Sequence, residues 1–119
     1  MTAQLVDLDP DCLLIQTVRS ANSCTITVTG DIDATSAPAL GRSLDEMLGS
    51  ADVPEILLDL GGVTFLDSAG LTTLVVAHRT AQRTGRTLSV RCGSSRAVRR
   101  PLEITGLLGV FAVTDPWTS

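Results

Sequence analysis

The stretch Phe65-Leu66-Asp67-Ser68-Ala69-Gly70-Leu71 sets a serine directly after an acid and two residues before a glycine, at the point where a helical pattern begins. A serine hydroxyl so placed can act as a nucleophile, cap the helix, or accept a transferred group. Nucleophilic catalysis needs a base within hydrogen-bond reach. The only histidine, His78, is ten residues along the same pattern, about 15 Å away at a rise of 1.5 Å per residue. The surroundings also lack the G-x-S-x-G elbow. The chain contains no lysine, which removes phosphate-loop and Schiff-base chemistry. No H-E-x-x-H, C-x-x-C or calcium-loop spacing occurs, so no metal or other cofactor is expected and the chain is not expected to be an enzyme.

Accepting a group suits Ser68 better. Backbone N–H groups of a first helical turn lack intrahelical partners, and the helix dipole favours negative charge there, so a phosphate can be carried without unfolding. Gly70 offers no side chain, which would let a partner approach, while Leu71 and Leu74 anchor the helix beneath. The alternative is a plain helix cap without chemistry. Asp67, and Asp31 and Asp33 in the earlier Gly30-Asp31-Ile32-Asp33 turn, are candidate contact residues or else local turn formers that bind their own backbone. Thr72 and Thr73 are candidate outward contacts or ordinary surface residues.

These residues need a framework to hold them. Cys24 to Thr29 alternates three apolar residues with three threonines, the period of a half-covered strand. Leu13 to Val18, joined to it through Ser20-Ala21-Asn22-Ser23, completes an antiparallel hairpin. Thr35 or Ser36 can cap a helix that tolerates Pro38 in its first turn, carries Leu40, Leu44, Met47 and Leu48 on one stripe, and ends at Gly49. The apolar run Glu55 to Leu60, bounded by Pro54 and Gly61-Gly62, reads as a central parallel strand buried on both faces. A second helix runs from Ser68 to about Arg83 with Leu71, Leu74, Val75 and His78 on its stripe, and His78 half faces the core. Leu88 to Cys92 gives a further strand. Ser94 or Ser95 opens a third helix that Gly106 closes, with Pro101 imposing a kink or a late start, and Val110 to Val113 supplies a last strand. The order ββαβαβαβ predicts one α/β domain over residues 1–119, with its core at about 12–115. Its sheet is mixed but mostly parallel, of about five strands, with helices packed against it.

Composition agrees. A chain of 119 residues with 44% apolar residues supports one core, and with only Phe65, Phe111 and Trp117 aromatic, that core is aliphatic. No stretch approaches a membrane span and no leader pattern is present, so a cytoplasmic location is expected. Cys12, Cys24 and Cys92 suggest small core residues rather than a disulfide framework or zinc site. Residues 1–67 hold eleven acids against Arg19 and Arg42, whereas residues 68–102 hold seven arginines and no acid. Such a dipolar surface can steer a charged partner, or the arginines simply solvate outer faces. Nucleic acid is disfavoured by the acidic total and scarce aromatics.

Taken in order, the Gly30-Asp31-Ile32-Asp33 turn, the Ile56–Leu60 strand leading into Gly62-Val63-Thr64-Phe65-Leu66-Asp67-Ser68-Ala69-Gly70-Leu71, and the Leu102-Glu103-Ile104-Thr105-Gly106-Leu107 segment resemble the STAS domain. Within it they are similar to the stand-alone anti-sigma factor antagonists of bacteria. The likeness spans about Leu13 to Asp115. It implies that Ser68 is phosphorylated by an anti-sigma factor that doubles as a serine kinase and brings its own ATP, and that a phosphatase resets it. It also implies that the unphosphorylated form binds that partner and frees a sigma factor. Contact would fall on Asp31, Asp33, Asp67, Ser68, Ala69, Gly70, Thr72 and Thr73, with the protein a monomer or weak dimer. Ala69 replaces a second serine of some members, Gly61 stands where many carry serine, and Pro101 departs from the pattern. A receiver domain shares the α/β layout but relies on a lysine absent here. Two other roles remain: a STAS scaffold subunit of a larger signalling assembly, and a redox-responsive antagonist using its cysteines.

Overall fold

The structure, a computed structural model, describes residues 3–9, 13–49, 53–107 and 112–113. Its elements are β1 (Ala3–Asp9), β2 (Leu13–Arg19), β3 (Ser23–Ile32), α1 (Ala37–Leu48), β4 (Glu55–Leu66), α2 (Ser68–Arg83), β5 (Thr87–Arg91), α3 (Arg96–Thr105) and β6 (Ala112–Val113). The strands form one six-stranded sheet in sequence order. The β1–β2 and β2–β3 pairs are antiparallel, and the three pairs from β3 to β6 are parallel. The sheet is therefore mixed and mostly parallel, as the alternation of strand and helix patterns predicts.

Strand β1 adds one member to the expected five. Its sequence AQLVDLD shows no clean alternation of apolar and polar residues, and so carried no strand signal of its own. Pairing with β2, from Ala3 opposite Arg19 to Asp9 opposite Leu13, specifies it instead. Of the expected last strand, Ala112–Val113 is described, whereas Val110 and Phe111 lie outside the described residues, as do Cys12 and Trp117.

Period-2 burial builds the core. Leu13 and Ile15 on β2, Cys24, Ile26 and Val28 on β3, Ile56, Leu58 and Leu60 on β4, and Leu88 and Val90 on β5 are all buried. The helices meet them with Leu40, Leu44, Met47 and Leu48 from α1, Leu74, Ala77 and Ala81 from α2, and Val98 and Leu102 from α3. Helix α2 turns Ala77 and Ala81 inward, whereas Leu71 and Val75, expected on its buried stripe, are only partly buried; His78 is half-buried, as expected. Two small residues bring α2 closer to the core than long side chains would allow.

Strand β4 differs from expectation in both length and burial. It continues through Gly61-Gly62 to Leu66, and Leu57 and Asp59 are only half-buried, so one face of the strand is covered rather than two. The register against β3 moves from Thr27 opposite Asp59 to Thr29 opposite Gly62, and again between Gly30–Val63 and Asp31–Phe65. Each shift inserts an extra residue in β4, and such bulges bend and twist a strand. Paired this far, Asp31 and Ile32 belong to β3 itself, and the turn begins only at Asp33.

Helix α3 runs from Arg96 without interruption through Pro101 to Thr105, and Gly106, with φ of 78°, closes it. The expected late start does not occur. Pro101 lacks the N–H that would bond the carbonyl four residues back, and Val98 and Leu102, both fully buried, hold the helix in spite of that loss. Replacing Pro101 by alanine restores the bond, so Pro101→Ala should raise stability by about 1–3 kcal/mol. A midpoint in urea below that of the parent would contradict it. Gly70→Ala should act oppositely: an added Cβ would press on Leu66 Cδ1 and lie 2.8 Å from Ile32 Cγ2. Overpacking of this kind costs about 1–3 kcal/mol, and an unchanged urea midpoint would show that the packing gives way more easily than the geometry implies.

Candidate functional site

The site forms where β3 and β4 end side by side. Ile32 pairs with Leu66, and the Asp67 N–H donates to the Ile32 carbonyl at 3.2 Å, so the start of α2 is bonded to the end of β3. Asp67 is extended (φ −103°, ψ −171°), and its carboxylate Oδ1 accepts the Ala69 and Gly70 N–H groups at 3.0 and 3.1 Å. Its carbonyl accepts the Leu71 N–H at 3.0 Å. Asp67, not Ser68, is thus the cap, and an aspartate is among the best residues for it.

Ser68 is the first residue of α2 and is exposed. Its carbonyl accepts from Thr72 Oγ1 at 2.9 Å, while its own hydroxyl bonds to nothing among the described residues. This hydroxyl is accessible, unengaged and mounted on an anchored backbone. The Ala69 and Gly70 N–H groups are already taken by the Asp67 carboxylate, so an anion on Ser68 would stand beside that carboxylate.

The neighbouring acids divide into two kinds. Asp33 turns its carboxylate onto its own loop, where Oδ1 accepts the Thr35 and Ser36 N–H groups, both at 3.0 Å, and its carbonyl accepts from Ala37 at 2.8 Å. Its hydrogen bonds, led by that from the Ser36 backbone, hold the carboxyl below the usual aspartate range. Ser36 was expected to cap α1, but its side chain makes no cap bond; its buried hydroxyl donates to the Asp31 carbonyl at 2.7 Å, leaving Asp33 to organise the turn. Asp31 is exposed and its carboxylate accepts from Thr64 Oγ1 at 2.6 Å, a cross-strand bond that fixes the acid at the surface. Asp31, Asp33 and Asp67 therefore lie with Ser68 where the two central strands end.

The remaining candidates separate. Ala69 is half-buried and packed against the core. Gly70 is buried, contrary to the expectation that it opens a path for a partner. Its missing side chain makes room for Ile32 and Leu66 from within. Thr72 faces outward, one turn beyond Ser68, whereas Thr73 is half-buried and donates to the Ala69 carbonyl at 3.0 Å. Both line a shallow groove with Gly41, Leu44, Asp45, Val76 and Ala77 between α1 and α2. Two apolar residues near the site were missed. Phe65, opposite Asp31, is 48% exposed, and Val76 is 51% exposed. Phe65 lies beyond the Glu55–Leu60 run, just past the second register shift in β4, where Thr64 and Phe65 are exposed in succession. Cys24 and Cys92 are buried free thiols as expected, and burial pushes the Cys24 thiol up despite Arg19 nearby.

With this geometry in place, likeness to known proteins is informative. The family described as "Mlab, STAS domain" matches residues 15–113. The anti-sigma-F factor antagonist RsfB of Mycobacterium tuberculosis is 30% identical over 104 residues, covering 86% of this chain and 81% of the relative. The crystal structure of an anti-sigma factor antagonist from Mycobacterium paratuberculosis superposes with a TM-score of 0.75 at 29% identity, covering 92% of this chain and 91% of the other. The Bacillus cell fate determinant SpoIIAA in its phosphorylated form shares the fold, with a TM-score of 0.64 at 13% identity over 96% of this chain and 93% of its own. The match over most of the chain agrees with the strand–bulge–helix edge that presents Ser68, and the chain belongs to the STAS domain family.

Proposed function

We propose that this protein is an anti-sigma factor antagonist, a cytoplasmic binding protein rather than an enzyme, whose switch is Ser68. The unphosphorylated form binds an anti-sigma factor and releases the sigma factor that the anti-sigma factor held. The partner is also the serine kinase and supplies ATP; a phosphatase restores the hydroxyl. Contact falls on Ser68, Asp31, Asp67 and Thr72, with Phe65 as the apolar element of the surface. Asp33 shapes the loop behind them.

The observation that carries this reading is the free, exposed Ser68 hydroxyl one residue after a fully engaged cap. Phosphorylation there adds about −1.5 to −2 charges next to Asp67 and near Asp31. The Ala69 and Gly70 N–H groups are already bonded to Asp67, so a partner fitted to the neutral surface meets concentrated negative charge and is expelled. The RsfB-like relatives lend the partner class. A redox-controlled antagonist is less well supported, because Cys24 and Cys92 are both buried.

Mixing the protein with candidate anti-sigma kinases and ATP should add the mass of one phosphoryl group to the parent and none to Ser68→Ala. Ser68→Asp should bind the same partner about tenfold more weakly or worse, the equivalent of about 1.4 kcal/mol. An intact mass unchanged with every cognate partner, or parent-like affinity of Ser68→Asp, would overturn the switch.

A further inference from the structure

Away from Ser68, a cleft of about 400 Å³ opens along the start of α3, lined among the described residues by Gly93, Ser94, Arg96, Arg99, Arg100 and Glu103. Three of those six side chains are arginines and one is an acid, which leaves a net positive lining. Arg96 and Arg100 are four residues apart and so lie on one face of the helix, about 6 Å apart at their Cβ atoms. Both are exposed, and neither forms an ion pair with a described residue. Arg99 is held differently: its side chain is 19% exposed and its Nε lies 3.3 Å from Glu103 Oε1, one turn on. The cleft is thus built from two exposed guanidinium forks and one paired with an acid.

The backbone beside them is shaped as well. Gly93 has φ of 58°, in the left-handed region, and its position over Gly61 leaves only 3.3 Å from an added Cβ to the Gly61 Cα. Ser95, the residue before α3, spends its hydroxyl on the Val63 carbonyl at 2.6 Å and does not cap the helix. No acid stands in the first turn. Arg96 and Arg100 are thus left to an external anion, while Glu103 holds Arg99.

We propose that this cleft binds a small, multiply charged oxyanion of the phosphate class, held by Arg96 and Arg100 with Arg99 at its floor. Guanidinium forks match phosphate oxygens with paired, charge-assisted hydrogen bonds. The volume is that of a small-ligand site rather than of a flat protein contact. The described lining residues offer no aromatic ring on which a nucleobase could stack, so recognition is by the charge and oxygens of the anion. The site is independent of Ser68, which lies at the start of a different helix.

The test is a titration of the full protein with pyrophosphate, followed by backbone amide shifts in a 1H–15N spectrum. Pyrophosphate should move the amides of residues 93–100 saturably, and inorganic phosphate should move the same set more weakly. In Arg96→Gln/Arg100→Gln, affinity should fall about tenfold or more with the loss of charge-assisted contacts. Glu103→Gln, which removes the competing carboxylate, should bind more tightly than the parent. Ser68→Ala should bind like the parent, which separates this site from the switch. Failure of pyrophosphate to shift these amides, equal binding by the double arginine variant, or weaker binding by Glu103→Gln would each overturn the proposal. So would a glutamate-rich peptide shifting residues 93–100 when pyrophosphate does not, because the arginines would then form a protein-docking surface.

Discussion

The Asp67 carboxylate accepts the Ala69 and Gly70 N–H groups while its own N–H donates to Ile32, and the rest of the site depends on this bridge. Helix α2 is bonded through it to a strand that precedes it by more than thirty residues. A capping bond of this kind contributes about 0.5–2 kcal/mol, modest in itself, but here it also fixes direction. Ser68 is left as the first residue past the cap, with its backbone held on both sides and its hydroxyl uncommitted. Two N–H groups of the helix end bond the protein's own carboxylate, so a phosphate on Ser68 would place its charge beside an acid already in position.

Close packing makes the bridge possible. Gly70 sits against Ile32 and Leu66, a position where any Cβ would collide. The two bulges in β4 bring Phe65 and Leu66 level with Asp31 and Ile32 despite the change of register upstream. Thr64 then bonds Asp31 across the strands and holds that acid outward, while Asp33 is drawn into its own turn. Acids that look equivalent in a loop are thus given different work: one presents charge, one shapes the chain and one caps a helix.

Much of the fold was legible because burial follows simple periods. The Cys24–Thr29 alternation, the Leu40-Leu44-Met47-Leu48 stripe and the Gly106 stop each describe a local preference that the tertiary structure keeps. Where sequence patterns misled, a non-local interaction had overridden a local one. Strand β1 exists through its pairing with β2. Pro101 does not delay the start of α3, whose Val98 and Leu102 are buried. Gly61-Gly62 reads as a terminator but is carried through by a sheet partner on the β3 side. At the site, Ser68 and its acid neighbours could be picked out by type and spacing. The buried role of Gly70 and the exposure of Phe65 could not, since both follow from how β4 bulges against β3.

The charge asymmetry along the chain now has a spatial form. Asp31, Asp33 and Asp67 gather where β3 and β4 end, whereas Arg96, Arg99 and Arg100 gather at α3, which packs on β4 and is bonded to it by Ser95 and Val63. The central claim is that Ser68 rides on a platform rigid enough to change charge without changing fold. The most direct measurement compares amide spectra of the protein before and after enzymatic phosphorylation of Ser68. Shifts confined to Asp31–Asp33 and Asp67–Thr72, with the core amides of Leu74, Ile56 and Val90 unmoved, are the predicted result. Displacement of those core amides, or loss of the helical pattern at the start of α2, would contradict it.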